Sequence, residues 1–183
     1  MKELSLNILD IAENSVSAQA SLIEITINEK IDDDTLSITI SDNGKGMSED
    51  FLKKVTDPFS TTRTTRKVGM GISLLKLVAE QSAGVLDIKS QLGVGTIITA
   101  VFQHSHIDRP PLGNMGQTIA TLVSCNLGIN FRYTHIYGDN EFIFTTKEIK
   151  SLIPGVPLNT PDVILWMQDY INDGIEDIYS EKL

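Results

Sequence analysis

Ser41-Asp42-Asn43-Gly44-Lys45-Gly46-Met47 is the stretch of this sequence that decides the fold. Apolar and polar residues alternate over residues 35–41, which predicts a half-buried β-strand that delivers Asp42 to its carboxyl end. Gly44 and Gly46 follow, and glycine lets the backbone turn sharply and lets a ligand approach closely. A carboxylate in this place can accept a hydrogen bond from an exocyclic amine, while the glycine turn can receive a flat ring.

A second glycine-containing stretch, Gly69-Met70-Gly71-Ile72, opens a helix whose apolar residues recur at helical spacing over residues 72–78. The first N–H groups of a helix have no partner within the helix, and they favour a phosphate group. A site for a base at one end and for phosphates at the other indicates a nucleotide.

Four segments of the sequence together resemble the Bergerat-fold ATPases, also called the GHKL superfamily, which include gyrase, histidine kinases, mismatch-repair ATPases and anti-sigma-factor serine kinases. In order, residues 10–15 are similar to the N box, 42–46 to the D-x-G-x-G box, 69–72 to the second glycine box and 93–96 to the third. The resemblance spans residues 4–102 and implies an α+β fold, a two-layer α/β sandwich with helices on one face of a mixed sheet. A doubly wound dinucleotide fold fits less well, because its G-x-G-x-x-G should open a helix directly after the first strand.

The resemblance also implies roles for two residues of the first helix, expected over residues 3–20. Asn14 matches the asparagine that ligates Mg²⁺, a cation that prefers oxygen ligands and shares substrate phosphates. Asp10 lies one turn earlier, where hydrolytic and serine-kinase members carry a carboxylate base. Glu13 is the alternative base. On composition alone, the polar stripe of this helix is interpreted as a solvated face; it consists of Asn7, Asp10, Asn14 and Ser17.

Residues 57–67 are rich in hydroxyl and basic side chains and resemble the lid that closes over the phosphates in kinases of this superfamily; on composition alone they are a surface loop. Thr96 resembles the hydroxyl beside the adenine edge. The resemblance therefore implies one catalytic residue, Asp10, a metal ligand, Asn14, and ATP contacts from the following set. The set is Asn14, Asp42, Gly44, Gly46, Thr62, Arg63, Gly69, Gly71 and Thr96.

Composition limits the classes of function. The chain of 183 residues has a formal charge of −9, which argues against nonspecific binding to nucleic acid or an anionic membrane. Its single cysteine excludes an internal disulfide framework and fits a reducing cytoplasm. The sequence shows no apolar run of the roughly 20 residues that a transmembrane helix needs.

The composition changes after Gln103, and three parts are predicted: an ATPase domain over residues 1–103, a linker over 104–112 and a small α+β module over 113–183. Paired prolines mark the linker, in which His104 and His106 are expected to be exposed. The C-terminal module is interpreted as a partner-docking or dimerising region, or as an extension of the core sheet.

The predicted function is that of a cytoplasmic signalling protein that uses ATP and Mg²⁺, either hydrolysing ATP or passing its γ-phosphate to a partner protein. Because the chain begins almost on its first helix, we expect any phosphoacceptor to lie on another polypeptide. The alternative is a module that senses ATP without catalysis and regulates a partner. A DNA-processing machine is disfavoured by the acidic charge.

Overall fold

The computed structural model describes residues 3–55 and 70–180, and this part of the chain contains six helices and six strands. The helices are α1 (Leu4–Ser17), α2 (Glu49–Val55), α3 (Met70–Gln81), α4 (Met115–Cys125), α5 (Thr146–Leu152) and α6 (Pro161–Ser180). The strands are β1 (Leu22–Lys30), β2 (Thr35–Asp42), β3 (Val85–Gln91), β4 (Gly95–Gln103), β5 (Asn130–Tyr137) and β6 (Asn140–Thr145). No helix within these residues combines the length and the apolar character needed to cross a membrane.

The six strands form one mixed sheet in the order β3-β4-β2-β1-β5-β6. β1 and β2 pair antiparallel, and so do β5 and β6, so each of these pairs forms a hairpin. β1 and β5 run parallel, whereas β4 pairs antiparallel with both β2 and β3. A hairpin at the start of the sheet excludes the doubly wound alternative, which requires parallel strands there.

One face of the sheet carries the core, because strand side chains alternate between the two faces. Ile25 lies between Ile40 on one side and Tyr133 on the other, and Ile40 in turn pairs with Ile98. All four are at most 5% exposed. Burying one side chain of this size stabilises the fold by about 2 kcal/mol. The helices cover this face, while residues such as Thr39 on the other face stay partly exposed, so the predicted two-layer sandwich is confirmed.

Helix α1 places an apolar stripe against the sheet, with Leu4, Ile8 and Ala12 fully buried. The polar stripe on the same helix is not uniformly solvated. Asp10 is exposed, but Asn7 is 1% exposed and its amide has no hydrogen-bond partner among the described residues. The simple interpretation of this stripe as a solvated face is therefore wrong at Asn7.

The C-terminal residues extend the sheet of the N-terminal residues, which is one of the alternatives drawn from the sequence. β5 pairs along the whole of β1, from Leu22 opposite Asn130 to Glu29 opposite Tyr137. Helix α4 packs between α1 and α6 on the covered face. A role of this region in partner docking or dimerisation stays a prediction.

The segment between β4 and α4 is held by hydrogen bonds at both of its ends. The first N–H groups of α1, from Leu4 and Ser5, donate to the carbonyls of Pro111 and Leu112 at 3.0 and 2.8 Å. This satisfies two of the amides that a helix start leaves without partners. Neither His104 nor His106 is exposed as expected, since both are half-buried. His104 Nε2 lies 2.7 Å from Oε2 of the buried Glu29.

Candidate nucleotide-binding site

The carboxylate of Asp42 lies at the end of β2 and is oriented by two hydrogen bonds. The Ser15 hydroxyl of α1 donates to Oδ2 at 2.6 Å, and the Gly44 amide donates to Oδ1 at 2.9 Å. A carboxylate has about four acceptor positions, so two bonds leave capacity for a ligand. Asp42 is partly exposed, and its cross-strand neighbour in β4 is Thr96. The structure therefore places these two predicted residues side by side.

The turn after Asp42 needs glycine for steric reasons. A Cβ on Gly44 would lie 2.7 Å from the carbonyl oxygen of Ala18, at the end of α1. Gly46 has φ of +65°, and a Cβ there would lie 1.9 Å from the carbonyl oxygen of Gln91. Between them, the Lys45 amide donates to the Ala18 carbonyl at 2.9 Å. The D-x-G-x-G spacing thus lets this turn lie between α1 and the β3–β4 hairpin.

A hydroxyl pair joins that hairpin to the same turn. Ser90 Oγ lies 2.8 Å from Thr96 Oγ1 and accepts a hydrogen bond from the Met47 amide at 2.8 Å. Gly95 has φ of +137°, and a Cβ there would lie 1.9 Å from the Asp42 carbonyl oxygen. The β3–β4 hairpin and the turn after β2 are therefore both held against the strand end that carries the carboxylate.

These elements enclose a cavity of about 420 Å³, the size of a small-molecule site. Its described polar lining includes Asn14, Ser15, Asp42 and Thr96. Its apolar lining is contributed by α1, the turn after β2, α2, α3 and the hairpin. These side chains are Ile11, Met47, Phe51, Val55, Ile72, Leu92 and Ile98. A mostly apolar cavity with one carboxylate suits a flat aromatic ring that carries a hydrogen-bond donor.

Seven of the ten predicted site residues fall within the described part of the chain, and the structure brings five of these seven together. Asn14, Asp42, Gly46 and Thr96 line the cavity, and Gly44 forms the turn below it. Asp10 and Gly71 lie beside each other but outside the described cavity lining, and a Cβ on Gly71 would lie 3.2 Å from that of Asp10. The predicted contacts Thr62, Arg63 and Gly69 fall outside the described residues.

Sequence reasoning missed the two serines of the site. Ser15 follows the predicted metal ligand directly, but the N-box match gave it no role. Ser90 could have been found, because the alternation of β3 puts it on the inward face with Leu86 and Ile88. Asn43 was also missed; its side-chain oxygen accepts from the amides of Ser21 and Leu22, both at 2.9 Å.

The fold and this site define a nucleotide-binding domain, and comparison with known proteins gives its family. Residues 1–106 match the model for histidine kinase-, DNA gyrase B- and HSP90-like ATPases. The match covers more than half of the chain, so the chain belongs to this family, and the resemblance to this superfamily is confirmed. It contains an ATP-binding domain of the histidine-kinase type.

Comparison with individual proteins shows which members of this family the chain is similar to. The chain is 33% identical over 109 residues to a putative NtrY-like sensor histidine kinase of Rickettsia conorii, a match covering 59% of this chain and 18% of that protein. It is 34% identical over 97 residues to sporulation kinase E of Bacillus subtilis, covering 53% of this chain and 13% of the kinase. The chain thus spans less than a fifth of the length of these relatives.

Among solved structures, the N-terminal domain of a DNA repair protein superposes with a TM-score of 0.57 at 16% identity. The superposition covers 80% of this chain and 53% of that one. At this identity the likeness concerns the fold alone.

Proposed function

We propose that this protein binds Mg²⁺-ATP in the cavity beside Asp42 and either hydrolyses it or passes its γ-phosphate to a partner protein in signalling. The observation that carries the proposal is the carboxylate of Asp42, held by Ser15 and Gly44 at the wall of an otherwise largely apolar cavity. Adenine has an apolar ring and an exocyclic amine, and these two features match this wall.

Nucleotide selectivity tests the role of the carboxylate. Hypoxanthine, the base of ITP, carries a carbonyl in place of the exocyclic amine of adenine. Its carbonyl oxygen and the Asp42 carboxylate are both hydrogen-bond acceptors, so they cannot pair. A hydrogen bond to a charged group contributes about 1.5–3 kcal/mol. We therefore expect ITP to bind about 10- to 100-fold more weakly than ATP in calorimetry at millimolar Mg²⁺.

Two variants separate binding from positioning. Asp42→Ala should abolish the preference for ATP over ITP. Ser15→Ala keeps the carboxylate but removes one of its two hydrogen bonds. It should therefore reduce ATP affinity less than Asp42→Ala does. Equal affinity of Asp42→Ala and the unaltered protein for ATP would rule out the proposed site.

The residues present fit a magnesium ion shared with the phosphates. Asn14 lines the cavity, and its amide oxygen is a ligand of the hard type that Mg²⁺ prefers. Within the described residues no three histidine, cysteine or acidic side chains converge on a common point. Asn14 would hold the ion together with ATP oxygens, and the ion would neutralise charge on the phosphates.

We assign the role of general base to Asp10, which lies one turn before Asn14 and is exposed to solvent. A carboxylate in this place can accept the proton of an attacking water or hydroxyl. Asp10→Asn should reduce phosphate release at least 100-fold while ATP binding stays within about twofold. Glu13→Gln is the matched control on the same helix, and it should turn over normally. Unchanged turnover in Asp10→Asn would refute this role.

A second function has support from two observations. Asp10 lies outside the described cavity lining, and the C-terminal extension is joined to the site through the neighbouring strands β5, β1 and β2. These favour a module in which ATP binding changes partner affinity without catalysis. Saturable ATP binding without phosphate release, both alone and with a partner, would favour this function over the first.

A further inference from the structure

Helix α6 has one face buried in the fold. Met167, Ile171 and Ile175 recur at helical spacing and are at most 9% exposed. Asn172 fixes the helix against α4, because its side-chain oxygen accepts a hydrogen bond from the Gly116 amide at 3.1 Å. The outward face of α6 is therefore held in a defined orientation.

That outward face exposes large apolar side chains. Trp166 and Tyr170 are each 42% exposed, and Leu165 is 60% exposed. The two aromatic rings stack with centroids 5.3 Å apart and planes at 14°. Phe142, on the terminal strand β6, contacts the Tyr170 ring with centroids 5.6 Å apart. The patch is thus continuous from the helix to the end of the sheet, and we call it the α6 aromatic patch.

The charged residues of α6 all have the same sign. The sequence of α6 contains five acidic residues and no lysine or arginine. All five are exposed, and they recur along the same outward face as the rings. They are Asp162, Asp169, Asp173, Glu176 and Asp177.

We propose that the α6 aromatic patch docks a basic segment of another protein, one in which lysine or arginine residues flank an apolar anchor. Tryptophan and tyrosine dominate interface energetics and attract cations over their ring faces. The acidic rim would pair with the basic side chains and speed their approach.

Charge argues against other occupants. A second copy of this chain would bring the same carboxylates against one another in a symmetric contact, and each copy carries a net charge of −9. Nucleic acid and anionic lipid would be repelled for the same reason. A basic polypeptide is the occupant whose charge complements the rim.

The chain supplies its own reporter, because Trp166 is its only tryptophan. The probe is a synthetic amphipathic peptide of about 15 residues, long enough to form a helix, with leucine on one face and lysine on the other. A second peptide carries glutamate in place of lysine. Titration of the full chain with the lysine peptide should shift Trp166 fluorescence saturably, and the glutamate peptide should leave it unchanged.

Two variants test the patch, and a third controls for net charge. Tyr170→Ala should weaken binding of the lysine peptide about tenfold, as expected for an interface hot spot. The double variant Asp169→Asn/Asp173→Asn should do so by a similar factor. The control Asp32→Asn/Asp33→Asn changes net charge equally, but in the exposed turn between β1 and β2.

The results distinguish this proposal from diffuse attraction and from self-association. Equal weakening by the two charge-matched double variants, or equal binding of both peptides, would overturn it. So would a dimer, seen by sedimentation, that Tyr170→Ala dissociates. Retained ATP binding by Tyr170→Ala would show that the variant is folded, so its loss of peptide binding would support the proposal.

Discussion

Replacing Glu29 should remove a large, pH-dependent contribution to stability. Glu29 is 8% exposed, and both of its oxygens are occupied. Oε1 lies 2.8 Å from His135 Nε2 and accepts the Tyr179 hydroxyl, and Oε2 lies 2.7 Å from His104 Nε2. These partners come from β5, from the last turn of α6 and from the segment after β4, so one carboxylate joins four parts of the chain.

The magnitude follows from the pKa of this carboxyl. Burial raises the pKa of Glu29, but hydrogen bonds from His135, Tyr179 and His104 outweigh burial and lower it from 4.5 to about 2. Each pKa unit corresponds to about 1.4 kcal/mol, so the ionised form stabilises the fold by about 3 kcal/mol. Because the folded pKa is the lower one, this stability is present above pH 4.5 and is lost as the pH falls towards 2.

The assay is denaturant unfolding of Glu29→Gln and the unaltered protein at a series of pH values. We expect the variant to lose about 3 kcal/mol at pH 7, since it leaves the partners of a buried carboxylate poorly satisfied. The difference in unfolding free energy between the two proteins should become smaller as the pH falls below 4.5. Glu24→Gln, on the partly exposed face of the same strand, should change stability little. A gap that stays constant down to pH 3 would refute this account of Glu29.

Two glycine substitutions give further predictions. Gly46→Ala should cost at least about 2 kcal/mol of unfolding free energy and weaken ATP binding, because of its positive φ and the approach of its Cβ to Gln91. In most helices alanine in place of glycine is stabilising by up to about 1 kcal/mol. Gly174→Ala should instead lower the melting temperature, since its Cβ would lie 2.2 Å from the Phe142 ring. Gly128→Ala is the control for both variants, because no atom lies within 4 Å of its Cβ. It should melt within about one degree of the unaltered protein. Unchanged stability in Gly46→Ala or Gly174→Ala would contradict the steric reasoning.

Much of the fold and part of the site could be predicted from the sequence, because the signals are local. Alternation over residues 35–41 defines which face of β2 is buried, and hence the position of Asp42 at the strand end. The glycines of the turns are required by backbone geometry, so their spacing identifies the family.

The sequence by itself thus determined the family, the position of the acidic residue in the cavity and most of the helices and strands, since periodicity and turn chemistry act between near neighbours. Only the tertiary structure decided that β5 runs beside β1 and that Glu29 meets His104, His135 and Tyr179. It also decided that Ser15 orients Asp42. Such pairings depend on which surfaces meet once the whole core is buried. Residues so far apart in the chain have no local sequence pattern that predicts their contact.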